Sequence, residues 1–108
     1  MPLYMTQFAY TPEAWAALVE NPEDRSAAVR ELIENSGGRL IGWYLSFGEY
    51  DGVLIYEAPD AATAGAALLG AATRGHLRAT KTAPLFSAEE SIEIMRNAGG
   101  LAFRAPGQ

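Results

Sequence analysis

"RLIGWYLSFGEYDGVLIYEAPD", residues 39–60, holds two extended runs around a turn. Residues 39–47 and 53–58 are rich in aromatic and β-branched residues, the types that fit a pleated, half-buried surface. Between them, Gly48 and Gly52 bracket Tyr50 and Asp51. Glycine supplies unusual backbone angles, and an aspartate side chain can bond turn amides, so "GEYDG" reads as the turn of a β-hairpin. "VLIY" is apolar without alternation, as in a strand covered on both faces. Pro59 ends the run, and Asp60 is placed to cap a helix.

Working outward, "PLYMTQFAY" (2–10) reads as a strand. Thr11 can cap a helix over 12–20, with Pro12 at its first position and Trp15, Leu18 and Val19 at helical spacing. "ENPEDR" interrupts it, and a second helical piece over 23–35 places Ala28, Val29, Leu32 and Ile33 on one face. "SGG" ends that piece, with Gly37 or Gly38 as the left-handed stop. Residues 61–75 form an alanine-rich helix containing Gly65 and Gly70. Each glycine costs about 1 kcal/mol against alanine, so close helix-to-sheet packing is expected there. "HLRATKTAPLF" (76–86) is a fourth strand, and "SAEE" (87–90) is a capping box opening a last helix to about residue 97. The order β-α-β-β-α-β plus a helix predicts an α+β, ferredoxin-like sandwich with a four-stranded antiparallel sheet. One domain spans 1–98, and 99–108 is a flexible or partner-docking tail.

The bulk numbers exclude several functions. A chain of 108 residues makes one domain, and 49% hydrophobic content with 19% charged describes an ordered globular body. A net charge of −5 with no basic patch argues against nucleic acid and anionic membranes. With no cysteine and one histidine, thiolate chemistry and multi-histidine metal sites fall away, and no metal or cofactor is expected. No segment reads as a signal peptide or a membrane span, so a cytoplasmic protein is expected.

One layer of helices covers one face of such a sheet. Strict alternation along 39–47 places Leu40, Gly42, Tyr44 and Ser46 on one face and Ile41, Trp43, Leu45 and Phe47 on the other. Both are apolar. Several hundred Å² of wet apolar surface, at about 25 cal/mol per Å², drives association, and a two-fold homodimer with sheets face to face is the simplest closure.

The block 37–64 carries "GGR" at 37–39, the G-x-Y-D of Gly48, Tyr50 and Asp51, and "EAPD" at 57–60. With the strand-like start and the order of elements, it resembles the GYD domain family of the dimeric α/β barrel superfamily, over roughly residues 2–95. The resemblance implies a ferredoxin-like fold and a sheet-to-sheet dimer, and no particular activity.

Four residues are candidate catalytic groups: His76, Arg78, Tyr50 and Asp51. Alternation puts His76, Arg78, Thr80 and Thr82 on one face of the fourth strand, where a histidine base and a bidentate arginine would anchor an anion or enolate. Tyr50 would donate to a developing oxyanion and Asp51 would shuttle a proton. The competing readings are an edge strand blunted by charge and a plain hairpin turn. Tyr4, Thr6 and Phe8, with Tyr10 on the same face and Trp43 or Tyr44 beside them, are candidates for an apolar ligand pocket. These residues point to a homo-oligomeric domain binding a small organic ligand between sheet and helices. The alternative is a cofactor-independent isomerase, cyclase or monooxygenase acting on an aromatic or polyketide-like substrate. Haem is disfavoured, because His76 is the only histidine and no acidic or amide partner can be placed beside it.

Overall fold

The "GEYDG" segment does join two neighbouring antiparallel strands. In the computed structural model, which describes residues 1–107, the elements are β1 (Leu3–Tyr10), α1 (Pro12–Glu20), α2 (Arg25–Asn35), β2 (Arg39–Leu45), β3 (Gly52–Glu57), α3 (Ala61–Ala72), β4 (Leu77–Leu85) and α4 (Ala88–Gly99). Gln108, the last residue of the expected tail, lies outside the described residues. The strands form one antiparallel sheet in the order β2-β3-β1-β4, the ferredoxin-like arrangement read from the sequence.

The helix boundaries follow local chemistry. Thr11 Oγ1 accepts the Ala14 amide at 3.1 Å, and Asp60 Oδ1 accepts that of Thr63 at 2.8 Å. Ser87 and Glu90 close the capping box from both sides, at 3.0 and 2.9 Å. The second helix begins at Arg25 rather than 23, because Asp24 takes the cap and accepts the Ser26 amide at 2.9 Å. It ends in a Schellman motif: the Gly38 amide donates to the Ile33 carbonyl at 2.9 Å and the Gly37 amide to that of Glu34 at 3.0 Å. Gly37 takes the left-handed conformation, φ 85°.

Strict alternation fails at two places. In β2 the register slips between Leu40, opposite Tyr56, and Gly42, opposite Ile55. Ile41 is the extra residue of a bulge, so Leu40 and Trp43 share the helix-covered face instead of opposing each other. In β4, Tyr10 pairs Leu77 while Ala9 pairs Ala79, which leaves Arg78 as the extra residue. Leu77, Thr80 and Thr82 therefore share the helix side, and Arg78 leaves it.

Tyr4, Ile33, Leu40, Tyr56, Ala58 and Ala64 form the core between sheet and helices, with Val29, Trp43 and Leu54 packed on it. Tyr4 stacks on Tyr56 with centroids 5.9 Å apart. Phe8 lies over Gly52, where a Cβ would sit 2.2 Å from its Cζ. Gly65 and Gly70 correct an expectation: a Cβ at either would meet nothing within 4 Å among the described residues, so no close helix-to-sheet contact requires them.

The other sheet face has no helix over it among the described residues. The strand register places Leu3, Met5, Val53, Ile55, Ala83 and Leu85 there, and Tyr44 lies exposed across Gly42 on the same side. The radius of gyration is 17.4 Å, against about 13 Å for a compact chain of this length. α4 has no buried residue, and Ile92, Ile94 and Met95 are exposed.

Candidate functional site

Between the helix side of the sheet and helices α2 and α3 lies a cavity of about 80 Å³. Phe8, Val29, Leu32, Trp43, Leu54 and Leu68 supply much of its apolar wall. Thr6 and Tyr56 add a hydroxyl pair: Thr6 Oγ1 lies 2.9 Å from Tyr56 Oη and 2.8 Å from Thr82 Oγ1. Trp43 lines the wall as well, and its indole N–H is buried without an acceptor among the described residues. Buried donors are nearly always satisfied, so one left bare costs free energy.

Three residues form the mouth. Tyr10, Arg25 and His76 line both this cavity and an outer recess of about 470 Å³ bounded by α1 and by Glu20, Asn21 and Glu23. Each comes from a different element. Tyr10 ends β1, Arg25 opens α2, and His76 immediately precedes β4, where its carbonyl accepts the Thr11 amide at 2.9 Å. The Tyr10 and His76 rings lie 6.3 Å apart. Burial raises the Tyr10 phenol above its ordinary value, against the pull of the Arg25 guanidinium. Burial, then Arg25, pushes His76 down, so its imidazole stays neutral at neutral pH. The mouth thus presents a protonated phenol, a neutral imidazole and a permanent cation. Glu23 meets that cation from the solvent side, at 3.4 Å.

The residues singled out in the sequence divide among several places. Thr6, Phe8, Trp43 and His76 line the cavity. Tyr4 belongs to the aromatic core behind it, and Tyr44 lies on the open sheet face, so neither is among the lining residues. Arg78 is exposed and donates to the Glu49 carbonyl at 3.3 Å, holding the β2–β3 loop rather than facing His76. Tyr50 lines a recess on the open face, with Met5, Gln7, Val53 and Lys81. The sheet therefore separates it from His76, and the base, anion anchor and oxyanion donor assigned to catalysis are not brought together.

The Asp51 carboxylate accepts no amide of its own turn among the described residues; there the Asp51 backbone carbonyl accepts the Ser46 amide at 2.7 Å. Asp51 Oδ2 accepts the Tyr10 amide at 2.8 Å and the Trp15 indole N–H at 3.1 Å, while its own amide donates to the Phe8 carbonyl at 2.8 Å. It fastens the hairpin loop to the β1–α1 junction, and so fixes the strand end that carries Tyr10.

Arg25 and Tyr10 are the site residues that pattern reading passed over as catalytic candidates. A signal for Arg25 did exist. It occupies the first turn of α2, where the helix dipole disfavours a cation, and no acidic residue follows it in that turn.

The sequence model described as the GYD domain matches residues 4–95. The glutamine synthetase and cystathionine beta-lyase binding protein of Thermus thermophilus is 36% identical over 78 residues, covering 72% of this chain and 82% of that protein. Among solved structures, one from Thermus thermophilus is 19% identical with a TM-score of 0.46, covering 82% of this chain and 96% of that one. An uncharacterised NIPSNAP-like domain protein from Burkholderia xenovorans is 14% identical with a TM-score of 0.45, covering 80% of this chain and 84% of that one.

Proposed function

The chain belongs to the GYD domain family, and on that premise we propose that it is a small-molecule-binding domain that works as a homodimer, with its ligand held between sheet and helices. The mouth carries this reading: Tyr10, Arg25 and His76, from three separate elements, converge where an apolar cavity meets solvent. Ligand sites combine apolar walls with a few converging polar groups in this way. Self-association rests on the uncovered sheet face, whose apolar residues two copies would hide from water by packing face to face. Native mass spectrometry of protein taken directly from cells tests both parts together. A dimer carrying a retained small molecule is expected; a bare monomer contradicts both.

The name of the Thermus relative favours a second reading, in which this chain too docks on a metabolic enzyme. The exposed Ile92, Ile94 and Met95 of α4 and Leu101 and Phe103 beyond it supply apolar surface for such a partner. Co-elution with glutamine synthetase from the same source, lost on truncation after residue 87, is the result this reading requires.

A further inference from the structure

The lining of the cavity says more than that a molecule binds there. Resting on the reading of the cavity as a ligand site, we propose that the ligand is a small apolar carboxylate: a branched or cyclic group of a few carbons inside, and the carboxylate at the mouth on Arg25.

Charge decides the sign of the head group. Among the described residues, Arg25 is the one permanently charged member of the cavity wall; the acids of the mouth, Glu20 and Glu23, line only the outer recess. A guanidinium offers five N–H donors in a planar fork, so the 3.4 Å contact to Glu23 leaves donors for a second carboxylate. That contact is a partly exposed ion pair, a weak competitor. The N-terminal end of α2, where Arg25 sits, adds the positive end of the helix dipole. The other two mouth groups complete the fit without adding charge: Tyr10 donates its hydroxyl hydrogen, and the imidazole of His76 offers one donor and one acceptor. An ammonium head would meet Arg25 with like charge. A neutral hydroxyl would leave the cation without a counter-ion inside the mouth.

Size decides the body. A cavity of about 80 Å³ is roughly half the size of one that takes up benzene, so the buried part is a few carbons and not a fused aromatic system. Its walls are mostly aliphatic and aromatic, and the Thr6 and Tyr56 hydroxyls among them bond each other, so a branched aliphatic group or a small ring suits them.

Isothermal titration of the full chain with three probes sharing one apolar body tests this: 3-methylbutanoate, 3-methylbutan-1-ol and 3-methylbutan-1-amine. The acid should bind about tenfold or more tighter than the alcohol, the scale of one hydrogen-bonded charge pair, and the amine weakest of all. Arg25→Gln should bring the acid down to the level of the alcohol; Arg25→Lys should keep part of the preference. Glu23→Gln, which frees the guanidinium, should tighten the acid alone. Equal binding of acid and alcohol, or a preference for the amine, overturns the carboxylate while leaving a ligand site in place. Loss of acid binding in Glu23→Gln also overturns it. If none of the three probes binds saturably at millimolar concentration, the ligand site itself falls with it.

Discussion

Asp51 and Trp15 meet across the junction of the hairpin loop and the first helix: Asp51 Oδ2 accepts the indole N–H at 3.1 Å, and the same oxygen accepts the Tyr10 amide at 2.8 Å. One carboxylate therefore sets the exit of β1, the start of α1 and the position of the Tyr10 side chain at the cavity mouth. Asp51→Ala leaves two donors without their acceptor, at a cost of about 1–3 kcal/mol. Asp51→Asn keeps a carbonyl oxygen that can accept the same bonds, and should lose less. Urea denaturation of the three proteins checks the order wild type, Asn, Ala. If Asn and Ala lose equally, the acceptor oxygen is not what holds the junction.

Stability should fall on acidification through the histidine range. Burial and Arg25 lower the pKa of folded His76. Between that value and about 6.5 the unfolded chain binds the extra proton and the folded chain does not, so the folded state loses ground as pH falls. At the alkaline end the sign reverses with the same outcome. Burial raises the Tyr10 pKa, so the unfolded chain ionises first above about 10 and stability declines as pH rises. Unfolding midpoints from pH 5 to 8 should slope upward for the wild type and more gently for His76→Gln.

Most of the fold was legible because its signals are local. Thr11-Pro12, Asp60 and Ser87-x-x-Glu90 each specify a helix start within a few residues, and Gly37 specifies an end. The site was less legible because facing depends on an unbroken count. One extra residue at Ile41 moved Trp43 onto the core side, and one at Arg78 moved that side chain away from His76. Nothing in a strand's own sequence shows that its partner will skip a residue. Arg25 lay hidden for a different reason: its neighbours at the mouth are 15 residues earlier and 51 later, brought together only by the fold.

The uncovered sheet face should govern assembly. Ile55, at its centre, is flanked across the sheet by Met5 on β1 and Gly42 on β2. In a face-to-face pair Ile55→Lys would bury a charge against its own two-fold copy, at a cost of several kcal/mol. Light scattering at micromolar concentration should give a dimer for the wild type and a monomer for the variant, with far-ultraviolet circular dichroism unchanged. A dimer that survives the lysine places the interface elsewhere.

Two glycine-to-alanine exchanges should have opposite signs. Gly38 starts the passage from α2 into β2, and a Cβ there would lie 2.2 Å from the Glu57 carbonyl oxygen and 3.1 Å from Ile33 Cγ2. The obstacle is backbone, which cannot turn aside as a side chain can. "GGR" and "EAPD" meet at this point, with Arg39 also pairing Glu57 at 3.1 Å. Gly38→Ala must therefore push β2 from β3 or disrupt the helix end, and should lose roughly 2–4 kcal/mol, the range of overpacking and broken backbone geometry. Gly70 sits inside α3 with nothing within 4 Å of a Cβ among the described residues and no positive φ. Gly70→Ala removes conformational freedom from the unfolded chain and improves helix propensity, and should gain about 0.5–1 kcal/mol. Urea midpoints that move apart, downward for Gly38→Ala and upward for Gly70→Ala, are the expected result. A neutral Gly38→Ala would mean that the Glu57 carbonyl can move aside without cost to the β2–β3 pairing.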